Sequence, residues 1–210
     1  MNNLVFISGP QGAGKSTLLE AIKNKDVLVP KLKTLTPSLF EGSPQERRPL
    51  KICQRALENF EYLSIARKNP EKIVLGDRCI YCIYAFGEVY ARRGWISHSE
   101  NEFYNLLASK MFLPELLNPS AIVLNPGFDA VWRHLENRWK THEKKWREDD
   151  REYIKYACES YEVYRDNSKV LYIDHVIDMS IGSDAAEIYS WLERTTGISL
   201  SLHAELLGAV

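Results

Sequence analysis

One nine-residue stretch restricts the folds open to this 210-residue chain more than any other feature. From Gly9 to Thr17 the sequence is Gly-Pro-Gln-Gly-Ala-Gly-Lys-Ser-Thr, which satisfies the pattern G-x-x-x-x-G-K-[ST]. An apolar run from Leu4 to Ile7 precedes it and a helical pattern from Lys15 to Lys25 follows it. Glycines let the backbone turn tightly, so that successive N–H groups surround phosphate oxygens, and a helix N-terminus adds partial positive charge. The stretch therefore predicts a loop that binds the phosphates of a nucleoside triphosphate.

The residue types in this phosphate loop indicate separate tasks. The ammonium group of Lys15 has the reach to contact the β- and γ-phosphates, and the hydroxyl of Ser16 is a ligand for Mg²⁺. The residues predicted to hold the nucleotide are Gly9, Gln11, Gly12, Ala13, Gly14, Lys15, Ser16 and Thr17.

Short apolar runs alternate with helical patterns along the chain. The runs are continuous rather than alternating, as is typical of strands covered on both faces. They lie at Leu4–Ile7, Lys72–Gly76, Ala121–Leu124 and Val170–Ile173, with a weaker one at Asp26–Val29. Helices are predicted at Lys15–Lys25, at Leu50–Lys68, as a pair between Asp129 and Tyr164, and at Ser183–Arg194. The second of these places Ile52, Ala56, Phe60 and Leu63 on one face. Loops are predicted at Thr36–Ser38 and Glu41–Pro49. This alternation predicts an α/β domain with a mostly parallel sheet.

Composition excludes several classes of protein. Lysine and arginine total 27 and aspartate and glutamate total 28, so the net charge of −1 does not indicate a globally basic nucleic-acid binder. No run of about eighteen apolar residues occurs, so no membrane span is expected. The N-terminus lacks the features of a secretory signal, which favours the cytoplasm and reduced thiols. The four cysteines are Cys53, Cys79, Cys82 and Cys158, and the Cys79-x-x-Cys82 pair is expected to be buried thiols rather than a zinc site.

A second informative segment lies where the predicted strand Ile73–Leu75 ends. Asp77 and Arg78 follow it, and ligands in parallel sheets bind outside the carboxyl ends of the strands. Asp77 is therefore expected to orient Mg²⁺ or a water bound to it, and Arg78 to contact an acceptor or the transferring phosphoryl group. A salt bridge at the strand end is the alternative interpretation.

A third segment, from Arg138 to Arg151, contains six basic residues. Helical spacing would place Lys140, Lys144 and Arg147 near one face, with Arg151 four residues further on. Arginines that close over a phosphoryl group stabilise the charge that develops on its oxygens. Four acidic residues are interleaved, so a surface helix with ion pairs is the equally supported alternative.

Taken in this order, these segments resemble the deoxynucleoside kinase and thymidylate kinase group of P-loop proteins. The phosphate loop and the segment Val74–Tyr81 carry the resemblance most specifically. It implies one kinase domain over residues 1–210, with a five-stranded parallel sheet flanked by helices in three layers. It also implies transfer of the γ-phosphoryl group of ATP with Mg²⁺, under a lid at about residues 138–151 that carries Arg138, Arg147 and Arg151.

The resemblance implies a (deoxy)nucleoside or a nucleoside monophosphate as acceptor, bound by about residues 30–60. Nucleoside kinases carry a glutamate base soon after the second strand, and Glu41 is the candidate here. Between Lys23 and Arg55 the chain has eight basic and three acidic residues, and cations such as Lys31 favour an acceptor that bears a phosphate. The predicted acceptor contacts are Lys33, Arg47, Arg48, Arg78, Tyr81 and Phe86, with the aromatic side chains available to stack on a base.

Two other functions stay open from the sequence. The first is a kinase that phosphorylates a hydroxyl of a base, such as a hydroxymethylated one, or of a sugar within DNA, whose flanking phosphates would meet the same cations. The second is a nucleotide-binding switch without catalysis. The C-terminal segment Leu200–Val210 is a docking helix, a homodimer contact or a loose tail.

Overall fold

The computed structural model describes residues 3–32, 42–180 and 182–201. The strands β1 Leu4–Ser8, β2 Val27–Leu28, β3 Ile73–Asp77, β4 Ala121–Leu124 and β5 Val170–Ile173 form one sheet. Their order is β2-β3-β1-β4-β5, and every pairing is parallel. The five predicted strands are confirmed, and β1 lies at the centre of the sheet, directly before the phosphate loop.

Helices cover both faces of the sheet. In the described residues they are α1 Lys15–Ala21, α2 Pro44–Lys68, α3 Ile80–Arg92, α4 His98–Met111, α5 Phe128–Arg138, α6 Arg151–Tyr161 and α7 Gly182–Thr196. Val5 and Ile7 of β1 share one core with α1, α5 and α7, whereas Leu4 and Phe6 share the other with α2 and α4. The predicted three-layer α/β fold is confirmed. None of the helices in these ranges has the length and apolar character needed to cross a membrane.

Helix α2 begins six residues earlier than predicted. The Ser43 hydroxyl accepts a hydrogen bond from the Glu46 amide at 3.3 Å, and the Glu46 carboxylate accepts one from the Ser43 amide at 2.8 Å. This reciprocal capping box, with Pro44 in the first helical position, starts the helix. The prediction of a loop over Glu41–Pro49 is therefore wrong from residue 44 onwards. The loop predicted at Thr36–Ser38 lies outside the described residues.

The buried face of α2 also differs from the predicted one. The sequence pattern places Phe60 on that face, but Phe60 is 55% exposed, whereas the neighbouring Asn59 is buried. The Asn59 amide nitrogen donates to the carbonyl of Arg78 at 3.0 Å, which gives this buried polar side chain a partner for its donor group. Because adjacent helical positions lie about 100° apart, an inward Asn59 turns Phe60 towards solvent.

Helix α4 was not predicted, and α1 is shorter than expected. Ser97 and Glu100 form a second capping box at the start of α4. Its apolar pattern is obscured because Phe103 and Leu106 are exposed. Helix α1 ends at Ala21 rather than Lys25, since the Asn24 side chain accepts bonds from the amides of residues 26 and 27 and so forms a turn.

Candidate active site

The phosphate loop connects β1 to α1 and owes its shape to glycine. Gly9, Gly12 and Gly14 have φ angles of 137°, 78° and 90°, which side-chain-bearing residues rarely adopt. A Cβ atom on Gly9 would lie 2.1 Å from the carbonyl oxygen of Leu124, at the end of β4. The loop backbone therefore lies so close to β4 that only glycine fits at this position. The first residues of α1, which include the exposed Ser16 and Thr17, direct their amides towards this loop.

Lys15 is the first residue of α1 and is 8% exposed. Its ammonium group donates to the carbonyl oxygens of Gly9 at 3.0 Å and Pro10 at 2.6 Å, inside the loop that it serves. Burial, together with the nearby Arg78 guanidinium, lowers the pKa of Lys15 to about 7, while Asp77 acts in the opposite direction. A buried cation at the mouth of this loop gains stability when phosphate oxygens replace the two carbonyls.

Side chains from two distant helices support the loop. His134 of α5 has its Nδ1 atom 3.1 Å from the Gly12 carbonyl oxygen. Gln11 donates through Nε2 to the Tyr153 hydroxyl of α6 at 3.3 Å. The loop is thus fixed by α5 and α6 as well as by its own glycines.

Asp77 and Arg78 lie beside the loop, because β3 pairs with β1 and Asp77 is opposite Ile7. One carboxylate oxygen of Asp77 is buried without a hydrogen-bond partner among the described residues. Arg78 has a left-handed φ of 69°, which is strained for a residue with a side chain. Its guanidinium donates to the Gly9 carbonyl at 3.3 Å. The strained backbone therefore directs the Arg78 charge onto the phosphate loop.

Ser16 and Asp77 suit the Mg²⁺ site that the sequence predicts. Magnesium takes oxygen ligands, usually one or two from the protein, and the rest from water and substrate phosphates. The exposed Ser16 hydroxyl at the start of α1 and the unpartnered Asp77 oxygen are such ligands. Within the ranges that the structure describes, no group of three or more His, Cys, Asp or Glu side chains could hold a metal ion. The donor set therefore fits a cation held jointly with nucleotide phosphates.

A cavity of about 230 Å³ adjoins the phosphate loop. Gln11 belongs to both, and Arg78 lines the cavity while it donates to the loop, so the cavity and the loop share a wall. Six cationic side chains line the cavity, and Glu148 is the one carboxylate among its described lining residues. The lining is Gln11, Arg47, Arg48, Lys51, Arg55, Arg78, Cys82, Ile83, Phe86, Tyr90, Lys145, Trp146, Glu148 and Tyr153.

The structure brings most of the predicted acceptor residues together here. Arg47, Arg48, Arg78 and Phe86 all line the cavity. Lys33 and the predicted base Glu41 lie outside the described residues.

Tyr81 is placed elsewhere. Its hydroxyl donates to the Asn118 side chain at 2.6 Å, and its ring stacks on Tyr164. Tyr81 therefore belongs to the core, since its position on α3 faces the sheet rather than the cavity, and we correct its assignment to the acceptor site.

The predicted pair of helices between Asp129 and Tyr164 is confirmed as α5 and α6, but the charged lid between them is not the helix that its spacing suggested. Helix α5 ends at Arg138 and α6 begins at Arg151, and residues 139–150 between them form turns. Lys140, Lys144 and Arg147 consequently do not share a helix face, and Arg147 has a left-handed φ of 56°. The charged sequence has no apolar stripe to hold a helix against the protein. The Asp150 side chain starts α6 instead, by accepting a bond from the Tyr153 amide at 3.0 Å.

Two lid residues turn inwards and close one side of the cavity. Glu148 is 1% exposed, forms a salt bridge with Arg138 and accepts a hydrogen bond from the Lys145 amide at 2.8 Å. The Trp146 ring lies among Tyr90, Trp95 and Tyr153. The lid is thus held down by one buried carboxylate and one aromatic ring.

The three predicted lid arginines have different surroundings. Arg138 is engaged by Glu148. Arg147 is exposed, with its guanidinium 5.1 Å from the Trp95 ring centre. Arg151 is exposed and lies 5.3 Å from the Phe128 ring centre. None of the three is among the described residues of the cavity wall.

No protein-family model matches the chain, and no curated protein resembles it in sequence. Solved structures do match. The deoxyadenosine kinase of M. mycoides with bound dATP is 18% identical, with a TM-score of 0.67 over 90% of this chain and 98% of that chain. The same enzyme with the products dCMP and a flexible dCDP is 17% identical, with a TM-score of 0.66 over 91% and 99% of the two chains.

The protein has a deoxynucleoside kinase-like P-loop fold. In this P-loop kinase fold, several cavity residues were not predicted from the sequence, notably Lys51, Arg55, Trp146, Glu148 and Tyr153. Lys51 and Arg55 could have been predicted from the sequence, because they follow the Arg47–Arg48 pair at helical spacing if α2 begins at its capping box. Nothing in the local sequence identified the inward side chains of the lid.

Proposed function

We propose that this protein is an ATP- and Mg²⁺-dependent kinase that transfers the γ-phosphoryl group to a (deoxy)nucleoside or a nucleoside monophosphate. The observation that carries the proposal is the position of Arg78. Its guanidinium bonds to the phosphate loop and also lines the adjoining cavity. A phosphate loop beside a pocket for a second ligand is what phosphoryl transfer requires, whereas a nucleotide switch needs only the loop.

The proposed division of labour follows from the geometry. Lys15 and the loop amides hold the donor phosphates, and Ser16 and Asp77 hold Mg²⁺, which when bound neutralises charge on those phosphates. Arg55 donates to the Asp77 carbonyl at 2.6 Å and so fixes the end of β3. Arg78 stabilises the negative charge that spreads over the transferring phosphoryl oxygens. Glu41 stays the proposed base if the acceptor is a hydroxyl.

The lid supplies the second part of the proposal. Trp146 and Glu148 exclude water from the cavity, which limits transfer to water instead of the acceptor. Arg147 and Arg151 are the proposed arginines for the transition state, since neither forms a salt bridge within the described residues. Arg138 positions the lid through Glu148. The cytoplasm is the proposed compartment.

Transfer of radiolabel from [γ-³²P]ATP with Mg²⁺ tests the proposal. The acceptors are nucleosides, nucleoside monophosphates, and oligonucleotides with normal and hydroxymethylated bases. We expect label on a free nucleoside or monophosphate, and its loss in Lys15→Met by roughly 1,000-fold. Lys23→Met, which changes an exposed lysine just beyond α1, serves as the matched control.

The other outcomes distinguish the alternatives. Label on oligonucleotides alone would establish the DNA kinase. ATP binding without transfer to any acceptor would establish the switch. Full activity in Lys15→Met would contradict the proposed mechanism.

A further inference from the structure

The charges on the cavity wall are strongly unbalanced. Four of its cations come from α2, and the other two are Arg78, which directly follows β3, and Lys145 of the lid. Glu148, the one carboxylate among the described lining residues, is already engaged by Arg138. Arg55 is neutralised too, by Glu58 at 2.7 Å.

Arg47 and Arg48 are the two arginines that are buried among the described residues. They are 9% and 2% exposed, yet neither forms a salt bridge with any described residue. The Nε atom of each is buried without a hydrogen-bond partner among those residues. Arg48 donates only to neutral amides, to Asn105 at 3.0 Å and Asn101 at 3.5 Å. Burial lowers the pKa of Arg48 to about 10.

Such a pair of cations is costly to bury. An uncompensated buried charge typically destabilises a protein by several kcal/mol. Both arginines also lie near the N-terminus of α2, where the helix dipole already adds positive charge. The cost is offset when a ligand brings negative charge into the cavity, which makes this wall an anion site.

The remaining lining indicates what else the anion carries. Phe86, Tyr90, Trp146 and Tyr153 add aromatic rings beside the cations, with the Arg47 guanidinium 4.2 Å from the Trp146 ring centre, and such rings stack on nucleobases. A cavity of about 230 Å³ is too small for a duplex and suits a ligand no larger than one nucleotide. The donor triphosphate has its own loop, so the second nucleotide is the acceptor.

We propose that the acceptor already carries a phosphate, so that a nucleoside monophosphate binds with its phosphate group at Arg47, Arg48 and Arg78. This inference rests on the proposed function and narrows it. A phosphate oxygen of the acceptor forms the new bond to the γ-phosphorus, the bond from that phosphorus to the β,γ-bridging oxygen breaks, and ADP leaves. A dianionic acceptor needs no base to remove a proton, which fits a wall whose one described carboxylate is occupied.

Titration calorimetry without ATP tests the inference apart from catalysis. The ligands are the four deoxynucleosides and their 5′-monophosphates, measured in pairs of equal base. We expect at least one monophosphate to bind roughly 100-fold more tightly than its nucleoside. Arg48→Met and Arg47→Met should each remove most of that difference, and Arg48→Lys should retain part of it. Lys15→Met should leave it intact.

The matched control is Arg67→Met, which removes an exposed arginine at the far end of α2 that pairs with Glu115. Folding is checked by the melting temperature, which we expect to hold or rise in Arg48→Met because an unpaired buried charge is lost.

Equal affinities for nucleoside and monophosphate, or a difference that survives both arginine changes, would overturn the inference. So would binding of oligonucleotides with no binding of free monophosphates. Transfer to nucleosides together with equal affinities would leave the kinase proposal standing and remove this inference alone. Phosphate-dependent binding that requires Arg48, without transfer to any acceptor, would support this inference and contradict the kinase proposal.

Discussion

The proposed donor side and the proposed acceptor side of this site are built in different ways. The phosphate loop is one continuous segment, and its shape depends on backbone angles at Gly9, Gly12 and Gly14. The cavity proposed for the acceptor is assembled from α2, α3, the lid and α6, and its properties depend on side chains. A site made of backbone is specified by a short local pattern, whereas a site made of side chains is specified only by the packing of distant segments.

The two sides should therefore differ in what damages them. The donor side should fail when a glycine gains a side chain, because the backbone must then move. The acceptor side should fail when charges on the cavity wall or the lid are changed while the backbone stays in place. Substitutions on the two sides separate these cases, beginning with the largest expected effect.

Gly9→Ala should abolish transfer, with a loss of roughly 1,000-fold or more. The new Cβ atom would lie 2.1 Å from the Leu124 carbonyl oxygen, so the loop must shift away from β4. Gly94→Ala is the control, since Gly94 also has a positive φ, of 66°, but nothing lies within 4 Å of its Cβ position. It should cost about 1 kcal/mol of stability and no activity. Steady-state kinetics measures the activity of the two variants, and thermal melting measures their stability. Wild-type turnover in Gly9→Ala would contradict the claim that the close approach of the loop to β4 is required.

Glu148→Gln should lower kcat/KM for the acceptor by roughly tenfold, with ATP binding unchanged. The amide keeps the shape of the side chain but loses the charge that holds Arg138, so the lid is held less firmly. Asp149→Asn is the matched control, because Asp149 is the exposed neighbour and pairs only loosely with Lys144 at 3.5 Å. Equal effects of the two substitutions on acceptor kinetics would show that Glu148 has no special role in the lid.

The buried charge of Lys15 should appear as a pH dependence of stability without nucleotide. Burial holds the pKa of Lys15 at about 7, below its unfolded value of 10.5. Between these values the unfolded chain binds more protons, so stability rises with pH, by at most about 1.4 kcal/mol per pH unit. Lys15→Met should lack this rise. Urea unfolding at pH 7, 8 and 9 gives the free energy of unfolding of the wild type and of Lys15→Met, and the contributions of other titrating groups cancel in their difference. If the two free energies changed with pH in parallel, Lys15 would not be neutralised by burial.

The same contrast explains how much the sequence could predict. The five strands and the phosphate loop follow from continuous apolar runs and one local pattern, and the fold follows from their alternation. Two helix starts were missed although each has a local signal, Ser43-x-x-Glu46 and Ser97-x-x-Glu100. The first of these signals is enough to place Arg48, Lys51 and Arg55 along one helix from the sequence alone.

The rest of the site depends on packing that no local pattern encodes. Asn59 lies inside because its amide meets the Arg78 carbonyl, and Phe60 is outside for that reason. Trp146 and Glu148 turn inwards because Tyr90, Trp95 and Arg138 receive them. In a segment as charged as the lid, periodicity predicted a helix, although tertiary contacts determine the conformation.

Tyr81 and Tyr153 give the smallest and most selective test, since the sequence predicted Tyr81 at the acceptor, whereas Tyr153 lines the cavity that we propose for it. Tyr81→Phe removes the bond to Asn118 in the core, which should lower the melting temperature by about 2–4 °C and leave acceptor KM unchanged. Tyr153→Phe removes a hydroxyl that accepts from Gln11 at 3.3 Å, where the loop and the cavity meet. That bond is long, so we expect only a roughly threefold fall in kcat/KM. If Tyr81→Phe raised the acceptor KM and Tyr153→Phe did not, the cavity beside the phosphate loop would not be the acceptor site. The contrast between a donor side made of backbone and an acceptor side made of side chains would then not apply to this cavity.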